Sequence, residues 1–185
     1  FYFASLNIPK TIVNDGIDTA HEDLSANMAL PGYNPYTGDG TVALTCASHG
    51  TTVTGAADAV GNNRLGTVGV AWNVKIMPIA LSTLDCSQFG YLSQDISAIM
   101  WAADHGAKVE NMSWSFSVNQ TDVVKAQPVF QPLQDAVNYA WSKGVVLVAA
   151  AGNSGNNGNP LSYPAAMNNV VAAAATEFSD LSSIY

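Results

Sequence analysis

Short runs rich in β-branched residues, at 11–13, 74–81, 109–112, 145–150 and 170–174, alternate along the chain with segments of helical period. Leu92, Ile96, Ile99, Met100 and Ala103 repeat on one helical face, and Phe130, Leu133, Val137 and Trp141 repeat on another. Strands apolar on both faces, joined through helices, specify a parallel sheet covered by helices. In such a sheet ligands belong at the carboxyl ends of the strands. Gly106 and Gly144 follow the two helices as C-terminal caps, and His105 reads as a helix-end residue rather than a catalytic one. Residues 117–132, with two prolines and little periodicity, read as a surface loop, and 153–160, dense in Gly and Asn, as another.

The 185 residues suit one domain with a substantial core, with no internal repeat and no linker. With 48% hydrophobic and 11% charged residues and no long apolar run, the chain reads as a soluble globular protein without a membrane span. Its formal charge of −8 and six scattered basic residues exclude a nucleic-acid footprint. Low charge with abundant Gly, Ser, Asn and Ala suits a secreted hydrolase, and residues 1–6 read as the start of a mature or excised piece. Cys46 and Cys86, the two cysteines, form one disulfide or remain free thiols; no cysteine spacing suits a metal.

Three segments fall at predicted strand ends or helix starts: Val13-Asn14-Asp15-Gly16, Ser48-His49-Gly50-Thr51 and Ala150-Ala151-Gly152-Asn153-Ser154-Gly155. In this order and context they resemble the subtilisin-like serine proteases, or subtilases, over nearly the whole chain. Further matches are the loop 62–71, the strand 75–81, Asn111-Met112-Ser113-Trp114-Ser115 and Ser162-Tyr163-Pro164-Ala165. Asp15-Gly16 with Val70-Ala71-Trp72-Asn73 leans toward the kexin-like branch, whereas Asn111-Met112-Ser113 is closer to the bacterial branch.

The resemblance implies an α/β fold, a three-layer α/β/α arrangement around a mostly parallel sheet. Residues 1–185 would form a single peptidase domain, incomplete at its C-terminus. It favours the Cys46–Cys86 disulfide, because the fold brings both residues near one sheet edge. It also implies peptide-bond hydrolysis in a secreted or extracellular setting. That chemistry needs a nucleophilic hydroxyl, an imidazole to take its proton, and a carboxylate to hold the imidazole in the right tautomer. His49 takes the base position, and Asn153 that of the oxyanion donor, a role worth about 10²–10³-fold in rate. Without the resemblance, His49 reads as a helix N-terminal residue and Asn153 as a turn asparagine.

Two positions depart from the family pattern. Asn14 occupies the triad aspartate position, and Asp15 cannot replace it because successive strand side chains point to opposite faces. An asparagine there can favour the wrong tautomer and cannot stabilise the imidazolium; outside an enzyme, it is merely a polar strand end. The family nucleophile lies in a Gly-Thr-Ser block beyond the segment matched by 178–185, and none of Ser179, Ser182 or Ser183 sits in such a block. No nucleophile is assigned. Either further residues or a second chain supply it, or the molecule is a truncated, inactive relative that associates or binds peptides.

By the same resemblance, Ser113-Trp114-Ser115 forms an edge that pairs with an extended peptide or protein substrate, with Gly90-Tyr91 opposite. Trp114 is then a pocket wall, or else a surface aromatic; Ser115 replaces a family glycine and narrows the pocket. Asp23 and Asn63, with the carbonyls of Gly61, Leu65 and Thr67, match a calcium cage of oxygen ligands; alternatively Asp23 only caps or pairs at the surface. His21-Glu22 lacks zinc-protease spacing. Asn111-Met112-Ser113 and Asn119-Gln120-Thr121 fit the glycosylation pattern, the first on a buried-looking strand and the second in a loop.

Overall fold

A computed structural model describes residues 8–28 and 31–176; the segments 1–6 and 178–185 discussed above lie outside the described residues. Strands β1 (Pro9–Asn14), β2 (Lys75–Ala80), β3 (Val109–Met112), β5 (Val146–Ala150) and β7 (Val170–Ala173) form one sheet in the order β2-β1-β3-β5-β7. Every pairing in it is parallel. Two short strands, β4 (Phe116–Val118) and β6 (Leu161–Tyr163), make a separate antiparallel pair. Each predicted strand is present, with its ends within two residues of the expected ones.

Register divides the sheet into two faces. Val13, Ile79, Met112 and Leu147 share one core with Ala98, Ile99 and Ala102 of α2 (Leu92–Asp104) and Leu133, Ala136 and Val137 of α3 (Val123–Ser142). Ile12 and Ile76 point the other way, into a smaller core with Ile17, Leu24 and Ala59, against which Val53 of α1 (Ser48–Asp58) packs. The result is the expected three-layer α/β/α sandwich. β1 is buried without a break over its last four residues, as a strand covered on both sides must be. On the α1 side the far end of the sheet is bare, with Val146 44% and Val171 55% exposed.

Gly106 and Gly144 end α2 and α3 with φ of +87° and +82°. The Gly106 and Ala107 N–H groups return to Ala103 and Ala102, and those of Gly144 and Val145 to Trp141 and Ala140. His105 closes α2 as expected: its Nδ1 lies 2.8 Å from the Trp101 carbonyl and its ring stacks on Trp101.

The loop expected over 117–132 is not there. Its first residues pair as β4, and from Val123 the chain is already helical, carrying Pro128 and Pro132 inside α3. Both prolines are exposed and four residues apart, so they share the solvent face of the helix. There the carbonyls they leave unpaired can meet water, which removes much of the usual cost. The segment 153–160 is irregular, as expected.

Helix α1 is poor in helix formers, yet it is fixed at both ends. The hydroxyls of Thr52 and Thr54 bond back to the Ser48 and Gly50 carbonyls at 2.8 and 2.6 Å. At its C-terminus buried Asp58 pairs with Lys10 of β1 at 2.9 Å. Burial raises the Asp58 carboxyl above its ordinary value, and the Lys10 ammonium pulls it back.

Candidate active site

The strand order reverses at β1: the chain goes from β1 to β2 on one side, then crosses to β3 on the other. Ligands in sheets of this kind bind at such a switch point, beyond the strand carboxyl ends. An open groove of about 400 Å³ lies there, lined by Asn14, Asp15, His49, Phe89, Ser113, Trp114 and Ser115. Residues distant in sequence are thus gathered by topology alone.

Asn14 ends β1 and is 1% exposed. Its Oδ1 lies 2.8 Å from His49 Nδ1 and accepts the Asp15 backbone N–H at 2.9 Å. Its Nδ2 is buried with no hydrogen-bond partner. The cavity therefore offers the Asp15 backbone N–H to the amide oxygen and no acceptor to the amide nitrogen. The sequence left open that Asn14 turns a nitrogen toward the ring; in the structure an oxygen faces it.

Asp15 has a role the sequence reading missed. Its Oδ1 accepts the Gly50 N–H at 2.6 Å and its Oδ2 the His49 N–H at 3.3 Å. A carboxylate at these orphan N–H groups satisfies the first turn of α1 and complements its dipole. No side chain of α1 or its N-cap residue Ala47 does this. Only the position of Asp15, one residue beyond Asn14 and opposite the histidine helix, signals the role. Gly50 makes it possible: a Cβ there would lie 2.1 Å from the Gly16 carbonyl oxygen and 2.9 Å from Asp15 Oδ1.

Ser113, Trp114 and Ser115 follow β3 and form one wall of the groove. Trp114 is not a surface aromatic. It is 8% exposed, its ring meets Phe116 edge-on at 5.9 Å, and its Nε1 has no partner. Opposite, the lining residue is Phe89, immediately before the expected pair Gly90-Tyr91, which does not itself line the groove. The segment that carries Phe89 is tied to the start of α1 by a Cys46–Cys86 disulfide, with Cα atoms 6.0 Å apart. Asn153 follows β5, is exposed, and is not among the residues lining the groove around His49. It lies at the same carboxyl edge of the sheet, one strand beyond β3.

Asp23, buried at 2% exposure, accepts Asn63 Nδ2 at 2.7 Å and the Thr67 N–H at 2.9 Å. These bonds hold its carboxyl below the ordinary value, so it is ionised. Among the described residues no Lys or Arg forms an ion pair with it. Gly66, at φ +36°, leaves it room: a Cβ there would lie 2.5 Å from Asp23 Oδ2. Both Asp23 oxygens are thus taken by N–H donors, and no group of three or more acidic, His or Cys side chains gathers around it among the described residues. In this arrangement Asn63 presents its amide nitrogen, and its Oδ1 accepts the Leu65 N–H at 3.1 Å. The amide must turn to offer an oxygen.

Two buried acids were also missed. Glu110 on β3 is fully buried with neither oxygen partnered, and burial pushes its carboxyl up to about 8. Asp95 in the first turn of α2 is equally buried and pushed up to about 7.

A model described as the Subtilase family matches residues 11–184. Thermitase of Thermoactinomyces vulgaris is 38% identical over 174 residues, covering 94% of this chain and 57% of its own. Subtilisin DY of Bacillus licheniformis is 34% identical over 179 residues, covering 95% of this chain and 58% of its own. Of solved structures, Sphericase superposes with a TM-score of 0.75 at 32% identity, over 93% of this chain and 54% of that one. The chain thus spans a little over half the length of these relatives. No described helix is long and apolar enough to cross a membrane.

Proposed function

The chain belongs to the subtilase family, and we propose that it is the base-bearing part of a subtilisin-like serine endopeptidase domain acting on peptide or protein substrates. The observation that carries this is the His49–Asn14 contact of 2.8 Å in a groove walled by Ser113, Trp114 and Ser115. His49 is the general base, Asn14 holds the orienting position, and Asn153 contributes to the oxyanion site. Residues 113–115 pair with the extended peptide, and Phe89 with Gly90-Tyr91 borders it on the other side. The nucleophilic serine comes from sequence beyond residue 185 or from a second chain, a reading supported by the greater length of the relatives. Because Asn14 is neutral, turnover is slower than with a carboxylate there. Calcium held by Asp23, Asn63 and the carbonyls of Gly61, Leu65 and Thr67 supports the fold rather than the reaction. The disulfide supports an oxidising, extracellular setting.

A second reading is favoured by Asn14 itself: a catalytically inactive relative that keeps the groove and binds peptides. A fluorophosphonate probe, read with an intact-mass measurement on the natural full-length product, separates the two. Labelling of one serine supports the peptidase. A full-length mass equal to these 185 residues, with no labelling, supports the inactive relative and overturns the peptidase.

A further inference from the structure

We infer that neutral His49 carries its proton on Nδ1 and leaves Nε2 bare, because the Asp15 backbone N–H fixes which way round the Asn14 amide sits. The inference rests on His49 being the base. It concerns the one property that an asparagine in the triad position is expected to spoil.

An asparagine side chain can face the imidazole either way round. With the nitrogen inward it donates to Nδ1, which forces the proton onto Nε2 and disables the base. With the oxygen inward it accepts from Nδ1–H, and Nε2 keeps its lone pair. Nothing in the Asn14–His49 pair alone chooses between them. A third group does: the Asp15 N–H points at the same atom of Asn14, from 2.9 Å, as His49 Nδ1 does from 2.8 Å. A backbone N–H is only ever a donor. Turning the amide over would set two donors against each other and forfeit the bond. One orientation satisfies two donors with one oxygen and leaves only the buried Nδ2 unpartnered; the other makes a single bond and leaves both the amide oxygen and the Asp15 N–H unpaired.

The Asp15 N–H cannot swing away to accommodate the turned amide. Asp15 bridges to Ala80 of β2 on one side, and its carboxylate is held by the His49 and Gly50 N–H groups on the other. Gly50 is packed so closely on Gly16 that the helix start has no slack. The preference for the oxygen-inward form is worth roughly tenfold or more in population, since it trades a made bond for a buried unmade one. Asp15 is therefore a positioning residue. Through its main chain it preserves the tautomer that the missing carboxylate would have set, while the charge that would stabilise an imidazolium stays absent.

The test needs no turnover, so it stands apart from the question of the nucleophile. In protein labelled with ¹⁵N-histidine, long-range ¹H–¹⁵N spectra at a pH where His49 is neutral report which ring nitrogen is protonated. His49→Ala identifies its signals among the three histidines. A protonated Nδ1 and bare Nε2 at His49 are expected; a protonated Nε2 overturns the inference. Asn14→Leu removes the acceptor, and His49 should then shift toward the Nε2-protonated form. If it keeps Nδ1–H while the His21 and His105 signals are unmoved, Asn14 and Asp15 are not what sets the tautomer, and the inference fails.

Discussion

Gly50 donates its backbone N–H to Asp15 Oδ1 across 2.6 Å, joining the residue after β1 to the first turn of α1. The bond is local in space and distant in sequence, and it sets where His49 stands relative to Asn14. Removing it by Asp15→Ala leaves the helix start uncapped and should cost about 1 kcal/mol of stability. Urea unfolding of the variant measures this. A midpoint unchanged from the parent would show that Asp15 is not the cap.

Asn14→Asp restores a negative charge beside the imidazole. A carboxylate there accepts from Nδ1–H and stabilises the imidazolium that forms during proton transfer. In a molecule that carries the nucleophile, turnover should rise. The gain should fall well below the roughly 10⁴-fold cost of an aspartate-to-asparagine change that also spoils the tautomer. The kcat of the parent and the variant, compared side by side, checks this.

Glu110 makes stability fall with rising pH. The unfolded chain loses this proton near the ordinary value of 4.5, whereas the folded protein holds it to about 8. Between those limits the unfolded state binds fewer protons, so each pH unit costs up to about 1.4 kcal/mol. Asp95 acts in the same direction up to about 7. The urea midpoint should therefore drop from pH 5 to pH 8. Glu110→Leu should flatten that slope and be the more stable protein at pH 8; an unchanged slope would show that Glu110 is ionised in the fold.

The Cys46–Cys86 disulfide closes a loop with a sequence separation of 40, for which chain entropy gives about 4 kcal/mol of stabilisation. Reduction, or the double substitution to alanine, should lower the thermal midpoint accordingly. If groove geometry also depends on the bridge, reduction should disturb the His49 ring signals in protein that is still folded.

Calcium should raise the thermal midpoint in proportion to the logarithm of its concentration once saturating, and a chelator should reverse the gain. Asp23→Asn should remove the response. A midpoint indifferent to both calcium and chelator would leave Asp23 with only its bonds to Asn63 and Thr67.

Where a residue's neighbours are close in sequence or repeat with a period, the chain could be read directly. The sheet strands, α2, the Gly106 and Gly144 caps and the His49 helix start were visible in this way. The second half of α3 is legible through Phe130, Leu133, Val137 and Trp141, but its first half is not, because Pro128 and Pro132 suggest a loop and only the finished packing shows that both face solvent. For Trp114 the sequence leaves a pocket wall and a surface aromatic both open, since the Phe116 ring it meets is itself held in an aromatic row with Phe130 and Tyr163 that β4, α3 and β6 assemble. Asp15, Asp95 and Glu110 were invisible for a common reason. An acid in a sequence looks like surface, and only tertiary contacts show it capping a distant helix or buried without a partner.

The covalent ring closed by Cys46 and Cys86 encloses α1, β2 and the exposed stretch that contains Val68 and Val70. A peptide bond cut anywhere inside that ring opens the backbone without parting the molecule. Where any protease meets that exposed stretch, this is a form of damage tolerance. His49 and the Phe89 wall stay tethered to each other through a nick that would otherwise let them drift apart.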